Sequence, residues 1–284
     1  MLAAMTDLLA EAKAGGFAVG SFNVYNLEGA LAVVEAAERT RSPAAIQLHS
    51  PAVKSGGPPL VALCLAAARG ANVPMAVHFD HGSSVGEIEE ALAIGFTSIM
   101  ADGSRLPYAE NVEFTKKMTT LAHSKKVAVE GELGRLAGTE GDMVVPESEG
   151  SMTDPDQAAS FVEQTGVDAL AVCIGNSHGR SGTKDRLDFG LLARIRSAVV
   201  VPLVLHGASG VSEPSIRRCI DLGVTKFNVN AELRGAYVSA LSQGLHSQPP
   251  DLAELMRSAT VAVRDVVSNK LRIFRSSGRA GGMV

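Results

Sequence analysis

Met75-Ala-Val-His-Phe-Asp-His-Gly82 is a short apolar run that ends on an acid, a histidine and a glycine. The same kind of ending recurs twice, far away in the chain. His178-Gly179 follows Ala169-Leu-Ala-Val-Cys-Ile174, and His206-Gly207 follows Val200-Val-Pro-Leu-Val-Leu205. Three of the seven histidines therefore share one local setting. If these runs are parallel strands, the three imidazoles of His81, His178 and His206 gather at one rim of one sheet. Three neutral nitrogen ligands with a coordination position left open describe a catalytic zinc site.

Outward from these runs, strand-like and helix-like segments alternate eight times. The strand candidates are 17–22, 44–49, 75–80, 97–101, 126–132, 168–174, 200–206 and 224–229. Amphipathic stretches at 27–39, 86–94, 107–123 and 156–165 lie between them. Asp154-Pro155 reads as a helix start, and Gly95 and Gly166 as helix stops. Such alternation predicts an α/β fold with a parallel sheet, and eight repeats predict a single closed (β/α)8 TIM barrel over residues 1–275. Residues 250–270 form an extra C-terminal helix, and 276–284 read as a flexible tail. The long interval after the fifth strand, with Gly134-Arg-Leu-Ala-Gly-Thr-Glu-Gly-Asp142, reads as a mobile active-site cover.

Composition agrees with a barrel. The chain has 284 residues, 46% of them hydrophobic, no tryptophan and only 4% aromatics, so its core is built from Ala, Val, Leu and Ile. A net charge of -4 gives no reason to expect nucleic acid or an anionic membrane as partner. No apolar stretch approaches the roughly 20 residues of a membrane span. No signal peptide is evident at the N-terminus, so a cytoplasmic protein is expected. Cys64, Cys173 and Cys219 are widely separated and read as reduced core residues.

Active sites of such barrels lie at the C-terminal strand ends. The polar residues there are Asn23, Ser50, Asp80 with His81, Asp102, Glu132, His178, His206 and Asn228. Each can ligate metal, move a proton or bind an oxyanion. Asp80 could exchange a proton with a substrate oxygen at the metal, or orient a ligand histidine. Asp102 and Glu132 could hold a second cation position, fix the imidazoles, or pair with Arg135 or Lys184. Glu140, on the long loop, could reach the substrate on closure. His78 reads as a core histidine or a support for a ligand, and His49, His123 and His246 as structural or exposed. Gly207-Ala-Ser209 and Asn228-Val-Asn-Ala231 fall where barrels bind phosphate with backbone N–H groups and a helix N-terminus. Gly179 would allow close approach of backbone.

With those residues in place, the chain resembles the class II, metal-dependent ketose-bisphosphate aldolases, the family of the fructose- and tagatose-1,6-bisphosphate enzymes. The resemblance runs from Ser21 to about Asn269. It rests on His78-Phe-Asp-His-Gly82, Met100-Ala-Asp-Gly-Ser104, Val129-Glu-Gly-Glu-Leu-Gly134, Gly175-Asn-Ser-His-Gly179, Val204-Leu-His-Gly-Ala-Ser209 and Gly223-Val-Thr-Lys-Phe-Asn-Val-Asn230. It implies an aldehyde-lyase of carbohydrate metabolism and glycolysis that splits a phosphorylated ketose into dihydroxyacetone phosphate and an aldehyde through a zinc-stabilised enediolate. One zinc ion per subunit would sit on His81, His178 and His206, with room for a second divalent or monovalent cation. Asp80 would serve the carbon–carbon bond and Glu140 the enediolate proton. Asn23, Ser50, Gly179, Gly207, Ala208, Ser209, Asn228, Val229, Asn230 and Ala231 would bind substrate. The family forms dimers or tetramers, so a homodimer or homotetramer is expected.

Two departures bear on phosphate. Ala231 stands where the family has a threonine, and Arg180-Ser-Gly-Thr-Lys184 stands where it carries Tyr-Lys. Other readings are a zinc enzyme on a different ketose phosphate, a zinc hydrolase on the same ligands, or a non-catalytic aldolase-like subunit. A Schiff-base aldolase would need Lys226, but that residue stops short of the rim and reads instead as half of a salt bridge inside the barrel.

Overall fold

The structure is a computed structural model that describes residues 1–140, 143–179, 187–246 and 251–282, with backbone alone at Thr139, Glu140, Met143, Val144, Glu147 and His178. In chain order the strands are β1 (Val19–Asn23), β2 (Ala44–His49), β3 (Met75–Gly82), β4 (Ser98–Ala101), β5 (Ala128–Leu133), β6 (Ala137–Glu140), β7 (Met143–Val145), β8 (Ala169–Val172), β9 (Ser177–His178), β10 (Leu203–Leu205) and β11 (Val224–Val229). Eight of them, all but β6, β7 and β9, close into a parallel barrel in the cyclic order β1-β2-β3-β4-β5-β8-β10-β11. This is the predicted (β/α)8 barrel, with each strand within a few residues of its expected place.

The helices are α1 (Met5–Gly15), α2 (Leu27–Thr40), α3 (Ser50–Gly70), α4 (Val85–Ile94), α5 (Tyr108–Ser124), α6 (Pro155–Thr165), α7 (Phe189–Ala198), α8 (Glu213–Asp221), α9 (Ala231–Gly244) and α10 (Leu252–Ile273). Local signals set their ends. Asp154 caps α6 by accepting from the amides of Asp156 and Gln157, and Gly166 stops it in the left-handed conformation at φ 68°. Gly95 ends α4 in the same region at φ 106°. α3 is two helices joined at a kink, because Gly57 leaves helical geometry immediately before Pro58 and Pro59. α10, the expected extra helix, packs on α2 and α9. No helix among the described residues is long and apolar enough to cross a membrane.

Two features differ from expectation. The first is α1, which the βα alternation did not predict. Its Met5, Leu8, Leu9 and Ala12, with Phe17, pack against Val19, Ala45, Ala76, Met100, Ala169, Ala171 and Val204, the inward residues of the barrel. Several of these start their strands, so α1 closes the N-terminal end. Alanines leave an interior too open to fill itself, and α1 supplies the missing volume.

The second is the segment after α10, expected to be loose. Ser276 is buried, the Gly278 and Ala280 amides donate to the Thr40 and Arg41 carbonyls, and Arg279–Gly282 forms a 3-10 turn. The physical reason is the end of α2, whose last carbonyls lack partners within the helix. The tail provides donors for them. All three cysteines are buried and free, as expected.

Leu8 is fully buried in the stopper. Leu8→Ala should cost about 2–5 kcal/mol of folding free energy, read as a lower urea midpoint at an unchanged slope.

Candidate active site and metal centre

The site begins with an irregularity in β3. Adjacent residues of a regular strand face opposite sides. Between Phe79 and Gly82 the pairing with β4 slips, because three steps on β3 match two on β4. His81 sits at this bulge with φ 54°, a left-handed conformation uncommon for histidine. The extra residue turns both Asp80 and His81 to the mouth, where His81 Nε2 lies 4.0 Å from Asp80 Oδ1 and both side chains are buried.

His206 follows β10 from across the barrel. Its ring meets that of His81 edge-on, at 4.8 Å between centroids and 85° between planes. Nδ1 of His206 lies 3.1 Å from Nε2 of His81. The other nitrogen of each ring is engaged by a carboxylate. His81 Nδ1 is 2.7 Å from Asp102 Oδ2, and His206 Nε2 is 2.7 Å from Glu130 Oε1. A carboxylate only accepts, so it fixes the N–H on the nitrogen that faces it. When both rings are neutral, the two facing nitrogens then present lone pairs to each other. Two such nitrogens repel unless a cation or proton lies between them. A tetrahedral zinc, with nitrogens at 2.0–2.1 Å, would hold them about 3.3 Å apart. The donor set therefore fits a metal ion. Among the described residues, Asp80–His81–His206 and His81–Asp102–Glu132 are the groups whose ligand atoms come close enough to share one.

Electrostatics favour neutral rings at His206 and His78 and charged carboxylates at Glu130 and Asp102. Burial pushes the His206 ring down despite its bond to Glu130. Burial likewise takes His78 down to about 3, with Lys226 adding to the effect; its Nδ1 is 2.8 Å from Ser98 Oγ. Burial alone would raise Glu130, but the ammonium of Lys226 and the bond to His206 hold it well below the usual carboxylate range. Burial would also raise Asp102, yet His81 and Ser104 hold it low.

Asp80 is gripped by three carboxamides. Asn228 Nδ2 donates to Oδ1 at 3.0 Å, while Asn23 Nδ2 and Gln47 Nε2 donate to Oδ2 at 3.0 and 3.1 Å. Gln47 is itself held by Ser21. Lys226, with no exposure to solvent, donates to Glu130 Oε2 at 2.8 Å and to Asn228 Oδ1 at 2.7 Å. That is the internal salt bridge expected of it.

The phosphate-type loops come together. Ser209 Oγ accepts from the Glu232 amide at 3.4 Å, and the Ala208 amide donates to the Asn228 carbonyl at 3.2 Å. Gly207 and Gly179 both adopt positive φ, 68° and 85°. Asn230 precedes α9 directly, and its Oδ1 accepts from the Tyr25 hydroxyl at 2.8 Å. Ala231 is the first residue of that helix. The side chains of Val229 and Ala208 are buried in the hydrophobic core, which leaves only their backbone for a ligand. Ser50 donates to Glu87 Oε1 at 2.5 Å, so its hydroxyl is already engaged. Arg135 pairs with Glu149 at 2.8 Å. Asp102 faces His81 instead, and Glu132 Oε2 lies 3.9 Å from Nδ1 of both His81 and His206.

The side chains of His178 and Glu140, and residues Arg180 and Lys184 entirely, lie outside those described. The backbones carrying the first two run side by side. β6 pairs in parallel with β9, Gly138 opposite His178, and β7 completes a three-stranded sheet above the mouth. The sequence reading passed over Ser21, Gln47, Glu130 and Tyr25. A signal existed for Gln47 and Glu130: a polar residue inside an apolar parallel strand must be paired in the interior.

Comparison with known proteins accords with this arrangement. The family model for fructose-bisphosphate aldolase class-II matches residues 3–279. The chain is 40% identical to the fructose-bisphosphate aldolase of Thermus caldophilus, across 99% of this chain and all of that protein. Its fold superposes on the crystal structure of the YdjI aldolase from Escherichia coli K12 with a TM-score of 0.88 and 36% identity, covering 99% of this chain and 100% of that one. A chain from Coccidioides immitis assigned to fructose-1,6-biphosphate aldolases matches with a TM-score of 0.93 and 35% identity, over 98% of both. A barrel with acid and paired imidazoles at its mouth, matched end to end by this family, belongs to the class II fructose-bisphosphate aldolases and is a carbon–carbon lyase.

Proposed function

We propose that the protein is a zinc-dependent aldolase that reversibly cleaves a phosphorylated ketose, of the fructose- or tagatose-1,6-bisphosphate kind, into dihydroxyacetone phosphate and an aldehyde. The reading is carried by one observation: two ring nitrogens facing each other at 3.1 Å, each backed by a carboxylate, beside a buried aspartate. His81 and His206, with His178 as third ligand, would hold the ion. Once bound, it would supply polarisation of the ketone and hydroxyl oxygens of the substrate.

The chain's own groups do the rest. In cleavage, Asp80 takes the proton of the hydroxyl at the carbon that becomes the aldehyde. The carbon–carbon bond breaks and its electron pair delocalises into the neighbouring ketone as an enediolate. Glu140 then delivers a proton to the carbon beside the ketone, which kept the electron pair of the broken bond, giving dihydroxyacetone phosphate. Condensation reverses each step. The carboxamides of Asn23, Gln47 and Asn228 hold Asp80 in one orientation, so no rotamer search precedes transfer. Asp102 and Glu130 keep each imidazole's lone pair turned inward. The Gly179, Gly207–Ser209 and Asn230–Ala231 backbone would receive the phosphate. Three buried free cysteines accord with a reducing, cytoplasmic setting. Exposed Leu27, Leu31 and Val238 accord with a homodimer or homotetramer.

Three outcomes test this. Chelation should abolish cleavage across a panel of ketose phosphates, and zinc should restore it, with bound metal counted by mass spectrometry; an active, metal-free protein would overturn the assignment. Asp80→Asn should lower kcat by about 100-fold or more while metal content is retained, as expected when a proton-transfer group is lost. Ala231→Thr should restore a hydroxyl donor and tighten KM for phosphorylated substrates by about tenfold, the equivalent of one hydrogen bond to a charged group.

A further inference from the structure

Among the described residues, Lys226 is the one ammonium with no solvent exposure, and its hydrogen bonds go to Glu130 and Asn228, not to Asp80, His81 or His206. Its two acceptors nevertheless lead to His206 and to Asp80. Through Glu130 it reaches His206, whose Nε2 lies 2.7 Å from the other carboxylate oxygen. Through Asn228 it reaches Asp80, which accepts from the Asn228 amino group at 3.0 Å.

An asparagine carboxamide can be rotated by half a turn with little change in shape. Rotation would place Asn228 Oδ1 against Asp80, oxygen against oxygen, and would withdraw one of its three donors. Only a group that is a donor in every state prevents this, and an ammonium has no acceptor to offer. We propose that Lys226 is a positioning residue for the aldolase reaction: by donating to Asn228 Oδ1 it locks the carboxamide with its amino group toward Asp80, and by neutralising Glu130 it lets that carboxylate stay buried behind His206. This inference rests on the proton-transfer role given to Asp80 above.

The two tasks separate by mutation. Lys226→Met removes both and leaves Glu130 charged, buried and unpaired, which threatens folding. Adding Glu130→Gln removes the stranded charge, while the glutamine oxygen still accepts from His206. The double variant should therefore melt close to the natural protein yet keep a kcat lowered by about 30-fold or more, with KM changed by less than about threefold. The side-chain amide of Asn228, followed by 15N NMR in the protein without substrate, should lose its protection from solvent exchange. A double variant with natural kcat would reduce Lys226 to a counter-charge and overturn the proposal, as would a rise in KM alone or an undisturbed Asn228 amide. Should the natural protein cleave no ketose phosphate, the functional reading falls, while the amide signal still decides whether Lys226 orients Asn228.

Discussion

A carboxylate and an ammonium share the interior of the barrel, and neither could stay charged there alone. Glu130 and Lys226 are each almost wholly shielded from water. Ionised groups at such depth cost several kcal/mol each unless paired and further hydrogen-bonded. The surplus hydrogen-bonding capacity of the pair is spent on His206 and Asn228. The polar network at the mouth is thus anchored from below, in strands, and does not depend on the loops above. Specificity of arrangement, rather than net stability, is what such a buried pair contributes.

The position of the mouth and its occupants had to be reconciled with strand geometry. Asp80 and His81 are neighbours in one strand, and a regular pleat would send one of them into the surrounding helices. The bulge at His81 resolves that conflict at a local backbone cost of order 1–3 kcal/mol. Since a single peptide bond links the proposed proton carrier to a proposed ligand, their separation is set covalently.

Much of this was legible in the sequence. Alternating apolar and amphipathic runs, Asp154-Pro155, Gly95 and Gly166 placed strands and helices to within a few residues. Histidines and acids after apolar runs placed Asp80, His81 and His206 together. What stayed hidden has physical reasons. α1 precedes the first strand, so no alternation marks it; its partners are alanines whose shortage of volume shows only once the barrel closes. The bulge leaves no trace in composition, because His81 is not a glycine. Gln47 and Glu130 lie within strands rather than at their ends, and attention to the rim passes over them. The docking of 276–282 depends on carbonyls at the end of α2, which sequence distance conceals.

The stopper formed by α1 has a further bearing on traffic. With Leu8 and Leu9 plugging the floor, the cavity is a blind alley. Whatever the site takes in or gives up must therefore pass on one side, that of the C-terminal strand ends.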